Sequence, residues 1–190
     1  MRSPMSASPY LLRPARPDEI APICRILAGM EPWLTLGITA TSLETAFARD
    51  ADIRRVQVAA EDDTLLGMVA FRTMRGMEYV SALRARSQRN AGLGDVSETQ
   101  APDYPDGGYV NCLAVFGNQQ GRGIGLELLQ YAEAETARDG SERLYLCVSD
   151  FNAAARRFYA RLGYTEMTCF KDCVVVGRDE LLLVKPVISA

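Results

Sequence analysis

The sequence predicts an α/β domain, and three observations carry that prediction. From Gly108 to Tyr164 a strand, a glycine-rich turn, a helix, a second strand and a second helix follow one another without interruption. Two apolar, β-branched runs, Arg54 to Glu61 and Leu65 to Arg75, surround Asp62-Asp63-Thr64 and read as an antiparallel hairpin. The chain has 190 residues, 48% of them apolar and 24% charged, which suits one domain over 1–190 able to bury its own core.

Taken in order, residues 1–9 are rich in Ser and Pro without apolar periodicity and read as a frayed tail. Tyr10 to Arg13 form a first strand. Asp18 then caps a helix whose Ile20, Ile23, Cys24 and Leu27 share one face and which Gly29 ends. Glu31 to Gly37, holding the only tryptophan, is non-periodic, and Thr41 with Glu44 reads as the capping box of a second helix. Between the hairpin and the next strand lies an insertion at about 77–107, longer than a compact domain usually tolerates. Arg84, Arg86 and Arg89 crowd its first half, Asp95, Glu98, Asp103 and Asp106 its second, and a short helix fits Tyr79 to Arg89. Its readings are a flap over a site, an arginine patch for an acidic partner, or a mobile surface excursion.

Tyr109 to Val115 is apolar enough for a strand buried on both faces. The helix from Gly125 to Arg138 turns Leu128, Leu129 and Ala132 inward and Glu127, Gln130 and Glu133 outward. Arg143 to Val148 is the next buried strand, Asn152 starts a helix that Gly163 ends, and Thr165 to Val176 with Glu180 to Lys185 closes the chain as a hairpin.

A net charge of −3 argues against nucleic acid or an anionic membrane as partner. Five cysteines, an odd number in a chain without a secretory apolar region, point to reduced thiols and a cytoplasmic setting. Cys169 and Cys173 lack a second pair and the chain has no histidine, so no metal site is expected and both read as buried strand cysteines. The absence of histidine also removes every Ser-His and Cys-His mechanism.

The turn Gln120-Gly121-Arg122-Gly123-Ile124-Gly125 holds the chemistry. Glycines at alternate positions clear side chains away, so backbone N–H groups converge on an anion at the positive end of the following helix. It is not a P-loop, because Leu126-Glu127 stand where Lys and Ser or Thr would be needed. Nor is it a dinucleotide fingerprint, because Leu126 or Leu128 replaces the third glycine.

Together, Leu113-Ala114-Val115, the Gln120 to Gly125 turn, Asn152, Tyr159 and the Gly163-Tyr164 exit resemble the GNAT superfamily of acyl-CoA-dependent N-acyltransferases in order and spacing. The resemblance implies a mixed, mostly antiparallel sheet with helices on both faces and a splayed central strand pair that holds acetyl-CoA as co-substrate. In its terms Leu113, Ala114 and Val115 pair with the pantetheine arm. Gly121, Arg122, Gly123, Ile124, Gly125 and Leu126 wrap the pyrophosphate, and Gln120 and Asn152 join the coenzyme-binding residues. Tyr159 is the general acid, protonated at neutral pH because its ordinary pKa is about 10. Phe158 shares a face with Ala155 and Leu162, so Tyr159 is read as pointing elsewhere.

The region around Glu31 and Trp33 would wall the acceptor site. In the ribosomal-protein-alanine N-acetyltransferases, which the core resembles, a glutamate stands five residues before the asparagine; here that position is Cys147. The remaining carboxylates offered as bases are Glu31, Asp106 and Asp150.

The expected activity is direct acetyl transfer to a primary amine of a small molecule, peptide or protein, in a ternary complex. A lysine amine is neutral in about one molecule in 2,500 at pH 7 and an α-amine in about one in seven, so a weakly basic amine is the easier acceptor without a strong base. The alternative is a non-catalytic acyl-CoA sensor or partner-binding module on the same fold. A homodimer is open as a mode of assembly.

Overall fold

The computed structural model describes residues 9–90, 92 and 104–188. Residues 1–8 of the tail expected over 1–9, together with Asp95, Glu98 and Asp103 of the insertion, lie outside the described residues.

One sheet of seven strands runs in the order β1-β2-β3-β4-β5-β7-β6. Its strands are β1 (Leu11–Pro14), β2 (Arg55–Glu61), β3 (Thr64–Arg72), β4 (Gly108–Val115), β5 (Arg143–Ser149), β6 (Thr165–Phe170) and β7 (Glu180–Pro186). Every neighbouring pair is antiparallel except β4 with β5. The α-helices are α1 (Ile20–Ala28), α2 (Ala40–Arg49), α3 (Gly76–Asn90), α4 (Ile124–Arg138) and α5 (Ala153–Arg161).

Side chains alternate across the sheet, so each strand feeds two layers. Val110, Leu144, Leu146, Val148, Leu181 and Leu183 meet Leu128, Leu129, Ala132 and Tyr159 of α4 and α5 on one face. Fully burying a leucine such as Leu128 contributes roughly 1.5–3 kcal/mol. On the other face, Val58, Met68, Ala70 and Ala114 pack against Ile23, Cys24 and Leu27 of α1 and Leu43 and Phe47 of α2. Beside that layer, Met77 and Val80 of α3 cover Tyr109, Tyr145 and Leu182.

Several expectations shift. A 3-10 turn, Pro17–Glu19, precedes α1, and Glu19 organises it by accepting from Arg13 Nη2 at 2.6 Å and Arg16 N at 2.7 Å. The hydrogen bond from Arg13 holds the Glu19 carboxyl down at about 2 despite burial. α2 is capped by Thr39 and Ser42, not by Thr41 and Glu44: Thr39 Oγ1 accepts from Ser42 N at 3.2 Å. β3 ends at Arg72 and β6 at Phe170, so Cys173 lies buried in the loop before β7, not in a strand. Glu133 is not turned out to solvent: it accepts from Tyr164 Oη at 3.0 Å and Lys185 Nζ at 2.8 Å.

The insertion begins as the fifteen-residue helix α3, docked onto the sheet. Gly76 opens it because its backbone lies against β4: Gly76 N donates to Gly107 O at 2.9 Å, and a Cβ would stand 2.7 Å from that oxygen. At its far end Ser87 Oγ donates to Lys171 O at 2.5 Å and Asn90 Nδ2 to Asp172 O at 2.6 Å. The helix therefore ties the insertion to the loop before β7.

Candidate active site

Strands β4 and β5 pair only at Gly108–Leu144, Tyr109–Tyr145 and Val110–Leu146. Beyond these, Asn111–Val115 and Cys147–Ser149 part, leaving β4 backbone unpaired on that side. A bulge marks the parting, since Val110 faces Phe71 and Cys112 faces Ala70, with Asn111 as the extra residue. Asn111 lines the gap, and both polar atoms of its carboxamide are buried without a partner. A buried, unmet amide is costly, and it suits a place where a ligand completes the hydrogen bonds.

The gap opens into a cavity of about 1090 Å³ that reaches both faces of the strand pair. On the α4 and α5 side it is lined by Leu113, Val115, Gln120, Gly121, Gly123, Ile124, Gly125 and Leu126, with Asn152 and Tyr159, while Ala114, between Leu113 and Val115, faces α1 and α2. On the α1, α2 and α3 side, Glu31, Trp33, Arg54, Tyr79 and Leu83 form the wall. At the glycine turn, Gly123 is the N-cap of α4 with φ +82° and no side-chain cap. The first-turn N–H groups of α4 thus keep their directions toward the cavity, at the positive end of the helix. A Cβ on Gly123 would meet nothing within 4 Å, whereas one on Gly125 would stand 3.3 Å from Val115 Cγ2. Gly121 and Gly123 therefore serve backbone conformation, and Gly125 serves the close approach of α4 to β4.

Arg122 lies apart from the other turn residues. Its guanidinium donates to Gln119, stands 3.9 Å from a Glu61 oxygen, and covers the Tyr10 ring, so it does not line the cavity.

Asn152 is N-cap and wall at once: its Oδ1 accepts from Ala155 N at 3.1 Å at the head of α5. Tyr159 corrects the face counted from spacing. It is 8% exposed and the buried residue of α5, while Phe158 and Leu162 are half-buried. α5 packs on two sides, so a tyrosine turned away from Phe158 still faces protein, and here it faces the cavity. Burial raises its pKa well above the usual tyrosine value, with Cys112 a smaller cause, so the hydroxyl keeps its proton at any working pH.

Trp33 is both core and wall, 9% exposed among Ile23, Leu43 and Phe47 and at the cavity edge. Glu31, at the rim, accepts from Thr35 Oγ1 at 2.8 Å. Asp106 is the clasp of α3, accepting from Arg75 N at 3.0 Å and Met77 N at 3.2 Å, and it does not line the cavity. Asp150 accepts from Phe151 N at 2.8 Å in the turn before α5 and is likewise absent from the wall. Cys147 lines the cavity, yet burial drives its thiol far above the ordinary range, only partly offset by the hydrogen bond with Tyr109. A thiol raised so far stays protonated at neutral pH.

Sequence reading missed Glu180. It begins β7, is 6% exposed, lines the cavity and receives a hydrogen bond from Ser149 Oγ at 2.5 Å. Only strand register brings it there, since Ser149 and Glu180 are direct cross-strand partners. Among the described residues, no group of three or more His, Cys, Asp or Glu is placed to hold a metal ion, and no helix is long and apolar enough to cross a membrane.

Comparison with known proteins agrees with this architecture. The structure of Arabidopsis thaliana NAA60 with a bisubstrate analogue matches at TM-score 0.67 and 16% identity, over 95% of this chain and 99% of that one. The ribosomal-protein-S18-alanine N-acetyltransferase of Escherichia coli matches at TM-score 0.65 and 16% identity, over 95% and 96%. An aminoglycoside 6'-N-acetyltransferase complexed with coenzyme A matches at TM-score 0.64 and 15% identity, over 95% and 98%. At such identities the likeness is one of fold. The family model for the acetyltransferase (GNAT) family matches residues 20–164, from α1 to the exit of α5, and the chain belongs to that family.

Proposed function

We propose that the protein transfers an acetyl group from acetyl-CoA to a primary amine, by direct attack in a ternary complex, with Tyr159 protonating the departing thiolate. One observation carries the reading: the unpaired backbone of Asn111–Val115, the uncapped start of α4 and the Tyr159 hydroxyl border a single cavity. Unpaired β4 backbone is suited to pair with the amide-bearing arm of the donor, adding it as a strand, while the α4 N–H groups take its diphosphate. An N–H of β4 then stands where the thioester oxygen gathers charge. The solved relative held with coenzyme A supports this choice of donor. The other wall, with Trp33 and Tyr79, receives the amine.

A half-buried cysteine in place of a strand carboxylate gives some support to a sensor that binds the donor without turning it over. A protonated tyrosine on the cavity wall has no use in such a sensor. Thermal stabilisation of the protein by acetyl-CoA, followed by thiol release with a panel of alkylamines, amino acids, aminoglycosides and peptides, separates the two. Stabilisation with thiol release upholds transfer, stabilisation without release from any amine favours the sensor, and no stabilisation overturns both.

A further inference from the structure

We propose that Glu180 is the catalytic base, taking the proton that the acceptor ammonium must lose before it attacks. The inference rests on the acetyl-transfer reading of the same cavity and adds the group that reading lacks. Along β7, Leu181 and Leu183 face α4 and α5, whereas Leu182 faces α3. Strand alternation therefore turns Glu180 to the α3 side, the side of Trp33 and Tyr79 where the amine enters. Ser149, its direct partner on β5, follows the same rule beyond Tyr145 and Cys147. Both lie at the end of β5 that has parted from β4, so the carboxylate stands at the mouth of the split and not behind it.

Among the described residues, no ion pair reaches the carboxylate to quench it. Ser149 donates to Oε1, and the titratable groups around it are Tyr109 of β4, Cys147 of β5, Cys173 of the loop before β7, and Asp150. On the covering helix, Arg86 acts on Cys173 and donates to Val174 O at 2.9 Å. Burial pushes the Glu180 carboxyl up to about 7, against the Ser149 hydrogen bond and with Asp150 adding repulsion. Such a group is half ionised near neutrality, where a base is most effective. In the step, the ammonium gives one proton to Glu180, and the freed lone pair forms the C–N bond at the thioester carbon. The C–S bond then breaks with its electron pair on sulfur, and Tyr159 protonates the thiolate. The nitrogen of the adduct then bears two protons and gives one of them through water to Tyr159, keeping the other as the amide N–H, and Glu180 releases its own to solvent, so one proton leaves per turnover.

Glu180→Gln tests this, because the amide keeps the volume and an acceptor oxygen for Ser149. With the best amine of the panel, kcat should fall roughly a hundredfold or more. The acidic limb of the wild-type pH profile should disappear, and the dissociation constant for acetyl-CoA should hold within twofold. Glu180→Asp should recover part of the rate. A Gln variant with wild-type kcat and an unchanged pH profile would overturn the assignment while leaving acetyl transfer intact. A wild-type protein that binds acetyl-CoA but acetylates no amine would overturn the transfer reading, and the base with it.

Discussion

Asp106 holds the backbone N–H of Met77 at 3.2 Å while its other oxygen takes Arg75 N, so this carboxylate fastens the start of α3 to the approach of β4. A carboxylate spent on two backbone donors at a helix N-terminus is a cap, and removing such a cap costs about 1 kcal/mol. Asp106→Ala should therefore lower the denaturant midpoint while leaving the pH dependence of turnover as in the wild type. A changed acidic limb would return Asp106 to the list of bases.

Tyr159 stacks edge-on against Phe158 and Tyr164, with ring centroids 5.4 and 5.6 Å away. Tyr159→Phe preserves those contacts and deletes only the hydroxyl. Loss of a proton donor predicts a tenfold to thousandfold drop in kcat with the affinity for acetyl-CoA retained. Equilibrium binding measured beside steady-state kinetics checks both halves, and an unchanged kcat removes the hydroxyl from the mechanism.

Gly123 sits at φ +82° with open space around its Cβ position, so alanine there meets a backbone penalty alone. That penalty is about 1 kcal/mol, and relief of it would rotate the N–H groups that begin α4. Gly123→Ala should weaken acetyl-CoA several-fold in a calorimetric titration and leave S-acetylpantetheine, a fragment that lacks the diphosphate, less affected. Equal loss for donor and fragment would mean that the turn does not hold the diphosphate.

How far the sequence alone reached follows from the range of the interactions involved. Ile23, Cys24 and Leu27 repeat at helical spacing and are all fully buried, and the Gly121 to Gly125 turn lies between the strand and helix that its glycines announce. Those are local signals. α3 was only partly legible, because half of its face is polar and its docking depends on Tyr109 and Tyr145, far along the chain. The face of Tyr159 was misread because counting along α5 names the stripe shared with Ala155 and Leu162, but α5 is packed on more than one side. Glu180 was invisible as a site residue: its partner Ser149 is 31 positions away, and only the β5–β7 register makes them neighbours.

Glu180 also predicts a stability signature independent of turnover. Its carboxyl is raised from 4.5 to about 7 in the folded chain, mainly by desolvation. Between those values the native state binds more protons than the unfolded one, so stability falls as pH rises through that window. The contribution is harmless below about pH 4.5 and fully adverse above about pH 7, a cost of roughly 1–3 kcal/mol. Glu180→Gln abolishes the titration, so the variant should unfold at higher urea than the wild type at pH 8, with the gap closing toward pH 5. Other carboxyls cancel in the comparison, Glu19 included, because its folded pKa is depressed and its stabilisation is lost only as pH falls toward about 2. A gap that stays constant from pH 5 to 8 would mean that Glu180 ionises as an ordinary surface carboxylate. A gap confined to the high-pH side would show that the fold bears the cost of keeping a proton acceptor buried beside Ser149, as expected of a group retained for chemistry and not for stability.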